Sequence, residues 1–212
     1  MNVLLVGANG QVAKEAIKEL KDQGHTTYAM IRKKEQADLL KKIGADEVIL
    51  ADLEQDFSHA FEGIDAVIFA AGSGGTTGAD KTILIDLWGA IKVVDETIKH
   101  KIKRFVMLSS MGTVDPDKSD RIRHYLVAKK LADDHLKRSN LNYTIVRPGS
   151  LSNDEPLGKI KLEEEIKNRD NTITRADVAK VLVSVLEKEN TYRKTFEILN
   201  GEEEIESALN KV

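Results

Sequence analysis

What most limits the folds open to this chain is a rhythm. A short apolar run, NVLLVG, gives way at once to a stretch of helical period, and the same exchange recurs along most of the 212 residues. The first helix is predicted from about Gln11 to Gln23, with Val12, Ala16, Ile17 and Leu20 on its apolar side and Gly24 as its stop. TTYAMIR, DEVILAD and DAVIFAAG read as strands, each a near-continuous apolar run of the kind buried on both faces, with helices around EQADLLKKIG and FSHAFEG between them. A long helical pattern at about 80–100 feeds KRFVMLSS, a helix near 121–137 follows, and NYTIVRPG is one more strand. Parallel strands joined by right-handed helical crossovers give an α/β fold of three layers, a doubly wound and mostly parallel sheet with helices on both faces. The tail is less regular: GKIKLEEEI, a helix in TRADVAKVLVSVLEK with Thr174 as N-cap, a strand TFEILNG, and a closing acidic helix. Pro116, Pro148 and Pro156 fall in loops or at strand ends. The expectation is a single domain over 1–212, with 151–212 forming a small substrate-side extension.

Composition removes several classes of function. Lys plus Arg is 32 and Asp plus Glu is 35, so the net charge of −3 gives no general field for nucleic acid. No apolar run approaches the roughly 18 residues of a membrane span, and the apolar opening lacks a basic leader and a cleavage site, so a cytoplasmic location is the default expectation. Without cysteine there are no disulfides, thiolate nucleophiles or thiolate metal sites, which leaves covalent chemistry to Ser, Lys or Tyr. The five histidines show no metal-ligand pairing, and no metal is expected. The expected partner is a small-molecule substrate, with no nucleic acid and no membrane; the charged stretches DDHLKR and KHKIKR suit a monomer, while the long helices suit a homodimer.

The strand-to-helix junction VGANGQVA carries the first chemical signal. Gly7 and Gly10 let the backbone turn tightly and approach a pyrophosphate, whose charge meets free N–H groups at the helix N-terminus, and Ala13 lets helix and strand pack closely. This is the dinucleotide arrangement of a Rossmann-type sheet, with Gly7, Asn9, Gly10, Gln11 and Val12 as the phosphate loop. An NAD-selective site would carry Asp or Glu at the end of the second strand, about 20 residues on; here the sequence reads MIRKKEQ. Arg32 and Lys33 suit a 2′-phosphate, so NADP(H) is expected over NAD(H). Asp52 and Leu53 are placed to border the adenine, and Ala70, Ala71 and Gly72 to let the cofactor lie close to backbone.

A second signal is HYLVAKKLADDHL, where Tyr125 and Lys129 stand four apart and share one helix face. The spacing alone fits a proton-transfer pair and equally fits two polar residues on a solvated face. His124 is a neighbouring acid or a surface residue, and Trp88 is expected in the core.

Taken in order, GANGQVA, ADLEQD, FAAG, KRFVMLSSMG, YLVAK, YTIVRPGSL and TRADVAKVL resemble the short-chain dehydrogenase/reductase superfamily, and within it the atypical single-domain NAD(P)-binding branch that includes epimerase/dehydratase-like, NmrA-like and biliverdin reductase B-like groups. The likeness runs from Met1 to about Asn200. It implies that Tyr125 exchanges a proton with the substrate oxygen, that Ser110 hydrogen-bonds that oxygen, and that Lys129 holds the nicotinamide ribose while lowering the phenol's pKa. Ser109 is the alternative serine. The resemblance also implies that RPGSL, with Pro148, Gly149 and Leu151, borders the nicotinamide. One position departs from the pattern: where fuller members carry an asparagine for a water relay, this chain has Asp86, which when ionised accepts hydrogen bonds but donates none. It is expected either to pair with Lys129 or to satisfy a backbone amide. The implied activity is hydride transfer to or from a small carbonyl, quinone or similar substrate. The alternatives are an NADP(H)-responsive regulatory module without catalysis, and a flavin or biliverdin-type reductase.

Overall fold

The computed structural model describes residues 1–75 and 77–212. In chain order, β1 (Asn2–Val6) leads into α1 (Gln11–Asp22), β2 (Thr26–Ile31), α2 (Ala37–Ile43), β3 (Glu47–Leu50) and β4 (Ala66–Phe69). Next come α3 (Ala79–Lys81), a π-helical segment over Thr82–Gly89, α4 (Ala90–Lys99), β5 (Arg104–Leu108), α5 (Arg123–Lys137) and β6 (Asn142–Pro148). The remainder supplies β7 (Ser150–Ser152), β8 (Lys159–Glu163), β9 (Thr172–Thr174), α6 (Arg175–Ser184), β10 (Lys194–Asn200), β11 (Glu203–Glu204) and α7 (Ile205–Leu209).

The main sheet runs β11-β8-β10-β6-β5-β4-β1-β2-β3, and β7 pairs with β9 beside it. Strands from β3 through β10 pair in parallel; β8 and β11 are antiparallel. The fold is the expected doubly wound α/β sheet. Residues 151–212 do more than append to it, since β10 lies in the sheet against β6 and α6 packs on α1. Alternation within the central strands feeds two cores. Val3, Leu5, Ile68 and Val106 face α1 and α6, while Leu4, Val6, Phe69, Phe105 and Met107 face α4 and α5. Below the sheet, buried Arg104 donates to the carbonyls of Val185 and Leu186 just beyond α6 and to Asn142 O, fastening helix to sheet.

Order along the sheet reverses between β1 and β4. From β1 the chain proceeds outward to β2 and β3; from β4 it proceeds the other way to β5 and β6. That reversal opens a crevice beyond the carboxyl ends of the two strands, where the Gly7 and Ala70 loops stand.

Four expectations are corrected. The pattern at 80–100 is not one α-helix, because eight residues, TILIDLWG, adopt the wider π winding. That winding turns Thr82, Asp86 and Gly89 inward and leaves Trp88 about half exposed, at 51%, so Trp88 is not core. β3 is an edge strand with Glu47 and Leu50 exposed, not a run buried on both faces. The closing acidic stretch begins as β11, and only Ile205–Leu209 is helical.

Thr174 caps α6 as expected. Its Oγ1 accepts the Asp177 N–H at 3.0 Å and donates to Asp177 Oδ2 at 2.8 Å. The Asp177 carboxylate in turn accepts the amides of Leu157 and Gly158, each at 2.9 Å, which ties the approach to β8 onto α6. Thr174→Ala is expected to lower stability by about 1–2 kcal/mol, read from the shift of a urea unfolding curve at unchanged slope.

Candidate dinucleotide cleft and active site

The first loop is shaped by its glycines. Gly7 has φ +81°, and a Cβ there would stand 2.5 Å from Ala71 Cα, so only glycine lets the β1 exit touch the β4 exit. Gly10 donates to Gly7 O at 2.9 Å and serves as N-cap of α1 in an extended conformation. The first turn of α1 carries no acidic side chain, and its leading amides have no partner within the helix. The positive end of the helix dipole therefore opens onto the crevice without internal neutralisation, which suits a diphosphate.

Around it lies a cleft of about 370 Å³. Gly7, Asn9 and Gly10 form its floor, Arg32 stands at the exit of β2, Asp52 and Leu53 at the exit of β3, and Ala70, Ala71 and Gly72 at the exit of β4. Gln11, Val12 and Lys33 do not line it. Val12 is buried in the core between α1 and the sheet, so the group it can offer a phosphate is its amide, and Gln11 is exposed beyond the cleft. Lys33 follows Arg32 in extended backbone and so points elsewhere; Gln36 takes the place beside Arg32. The sequence reading missed Gln36, Ser73, Ile85 and Lys81. Lys81 bridges to Glu54 at 2.7 Å across the cleft's outer edge.

A second cavity of about 260 Å³ shares Ala70, Ala71 and Gly72 with the first. Asp86, Ser110, Tyr125, Lys129, Pro148, Gly149 and Leu151 all line it, so the fold brings together every catalytic candidate. The two serines are distinguishable. Both line the cavity, but Ser109 is buried with its hydroxyl donating to Asp133 Oδ2 at 2.9 Å, whereas Ser110 is half-buried and its hydroxyl donates to Met111 O at 3.1 Å. His124 is exposed.

Lys129 is fully buried. Its Nζ donates to Leu108 O at 2.7 Å and lies 5.7 Å from the centre of the Phe69 ring. Burial pulls its pKa below the ordinary lysine value, and the negative charges of Asp86 and Asp133 work against that fall. Half-buried Tyr125 is pushed up to about 12, chiefly by burial and then by Asp86, with Ser110 offsetting part of the rise. The expected lowering of this phenol does not prevail, because burial and the Asp86 charge raise it by more than Ser110 lowers it. Asp86 is itself buried, and its Oδ2 accepts the Ser73 N–H at 3.0 Å, so it satisfies a backbone amide and anchors the loop after β4.

Against this geometry stand the likenesses to known proteins. A family described as NAD(P)H-binding matches residues 7–189. The chain belongs to that family. A relative, the uncharacterized sugar epimerase YhfK of Bacillus subtilis, is 39% identical over the full length of both chains. The sanguinarine reductase of Eschscholzia californica is 27% identical over 93% of this chain and 88% of its own. A solved structure from Bacillus halodurans, named for an NAD-dependent epimerase/dehydratase, is 56% identical and superposes with a TM-score of 0.99 over 100% of both chains. The NAD(P)H-binding chain thus has an oxidoreductase-type fold with reductase relatives. Among the described residues no helix is long and apolar enough to cross a membrane.

The close approach at Gly7 yields a direct test. Gly7→Ala introduces a left-handed alanine and a contact with Ala71, and is expected to lower stability by about 2 kcal/mol or more. Dinucleotide affinity should fall at least tenfold with it, measured by fluorescence titration of the reduced nucleotide.

Proposed function

We propose that this protein is an NADP(H)-dependent reductase of the atypical short-chain type, acting on a small carbonyl, quinone or similar acceptor. The observation that carries the reading is the pair of contiguous clefts. One is lined by the phosphate loop and Arg32, the other by Ser110, Tyr125 and Lys129, and a single wall at Ala70–Gly72 joins them. A dinucleotide laid across that wall has its diphosphate at α1 and its reactive ring before the phenol. The sanguinarine reductase relative favours reduction over sugar epimerisation.

In this reading the amides at the start of α1 would hold the diphosphate, Arg32 the 2′-phosphate, and Lys129 the nicotinamide ribose. The bound nicotinamide supplies the hydride. The Ser110 and Tyr125 hydroxyls both donate to the acceptor oxygen, and the Tyr125 proton passes to that oxygen as negative charge builds on it. Burial keeps the phenol protonated across the physiological range, which suits a proton donor in the reductive direction. Leu151, which lines the cavity and is exposed, offers an apolar surface to an acceptor.

A regulatory module that only senses the dinucleotide is the second reading, favoured by Asp86 in the relay position and by Lys129 being engaged at Leu108 O.

NADPH is expected to raise the melting temperature more than NADH does, and Arg32→Ala to weaken NADPH about tenfold or more while leaving NADH unchanged. Equal affinities, or an Arg32→Ala variant with unaltered preference, would refute the NADP assignment. Tyr125→Phe is expected to lower kcat by about 10²–10⁴-fold on a carbonyl and quinone panel. Binding without turnover of any acceptor would leave the regulatory reading standing in place of the enzyme.

A further inference from the structure

Behind the candidate catalytic residues lies a buried ionic cluster that the reaction as described does not use. Asp133 is fully buried on α5, one turn beyond Lys129 and two beyond Tyr125, so the three follow one helix face. Its Oδ2 accepts three hydrogen bonds, from Ser109 Oγ at 2.9 Å, Arg147 Nε at 3.0 Å and Arg147 Nη2 at 2.8 Å. Among the described residues its Oδ1 is buried with no hydrogen-bond partner. A carboxylate that fully served a structural pair would satisfy both oxygens; here one is left with only the fields of its neighbours.

We propose, resting on the reductase reading above, that Asp133 is a positioning residue. It holds Lys129 in the ammonium form from beneath, and through Ser109 it fixes the strand end that presents Ser110. The geometry supplies both halves. Ser109 and Ser110 are adjacent, at the exit of β5, and the Asp133 carboxylate bonds the first of them to Arg147 on neighbouring β6. Lys129 stands one helical turn before Asp133 on α5 and lines the same cavity as Asp86 from the π segment, and the charges of both oppose the loss of the ammonium's charge that burial favours. The remaining groups that bear on the cluster are the Tyr125 phenol, Arg147 on β6 and Lys137 farther along α5. Burial raises the Asp133 carboxyl above the ordinary carboxylate range, and Arg147 and then Lys129 act against that rise.

The sign follows from the charge. Removing the Asp133 charge leaves Asp86 alone to support the ammonium, so Lys129 deprotonates at lower pH. In Asp133→Asn the alkaline fall of kcat is therefore expected to move down by about one pH unit or more. The pH above which NADPH affinity falls should move down with it in a Tyr125→Phe background, where no phenol contributes. Ser109→Ala leaves every charge in place and is expected to lower kcat severalfold with no shift of either profile.

A purely structural Asp133 would lower the melting temperature of Asp133→Asn and leave both profiles where they were, which overturns the proposal. Should Asp133→Asn fail to fold because Arg147 is left buried and unpaired, Asp133→Asn/Arg147→Met leaves no buried charge without a partner and must still move both profiles down, by less than the single variant because the lost Arg147 cation had itself opposed the ammonium. Tyr125→Phe separates the two levels of the argument. If it leaves turnover untouched, the reductase reading and the positioning role both fall. If it abolishes turnover while the Asp133 variants keep the wild-type profiles, the positioning role alone falls.

Discussion

The contact on which the molecule turns is the one between Gly7 and Ala71. Two loops leave adjacent parallel strands, β1 and β4, at the point where the sheet's strand order reverses, and they touch because Gly7 has no side chain. From that contact the phosphate loop receives its position, α1 its direction toward the crevice, and the wall Ala70–Gly72 its place between the two clefts. A bulkier first loop would push the β4 exit away and separate the two cavities that the fold now joins.

Much of this was legible in the sequence, for physical reasons. The central strands were visible because burial on both faces favours apolar runs, which β4 keeps unbroken and β1 keeps after Asn2, while β5 opens on Arg104 and β6 is interrupted by Thr144 and Arg147. The Tyr125 and Lys129 pair was visible because helical spacing survives whatever the helix packs against. Three features were hidden. The π winding of TILIDLWG changes which residues face inward without changing the composition of the segment, so Trp88 looked like core and Asp86 kept two readings. Strand alternation places Arg32 at the cleft and excludes Lys33, a distinction that adjacent basic residues do not announce. Asp133 was concealed in ADDHLKR, which has the look of a solvated face; its four-residue step from Lys129 was the available clue.

The site as a whole is an exercise in placing charge where water is scarce. Lys129 and Arg147 are cations, Asp86 and Asp133 carboxylates, and all four are nearly or fully buried within a few turns of one another. Ions so placed are retained against a desolvation penalty of several kcal/mol each unless they face one another. Their arrangement here is asymmetric. Asp133 takes the guanidinium and a serine on one oxygen, Asp86 takes a backbone amide, and the ammonium is hydrogen-bonded to a carbonyl.

The position of β10 has a consequence for how the chain reaches this state. β6, which ends at the strand exit beside the catalytic cavity, is covered on its outer edge by a strand nearly fifty residues later, Thr144 pairing with Lys194. Before β10 is in place β6 keeps an open edge, and before α6 is in place the apolar face of α1 lacks its cover. A chain cut ahead of α6 is therefore left with both exposed.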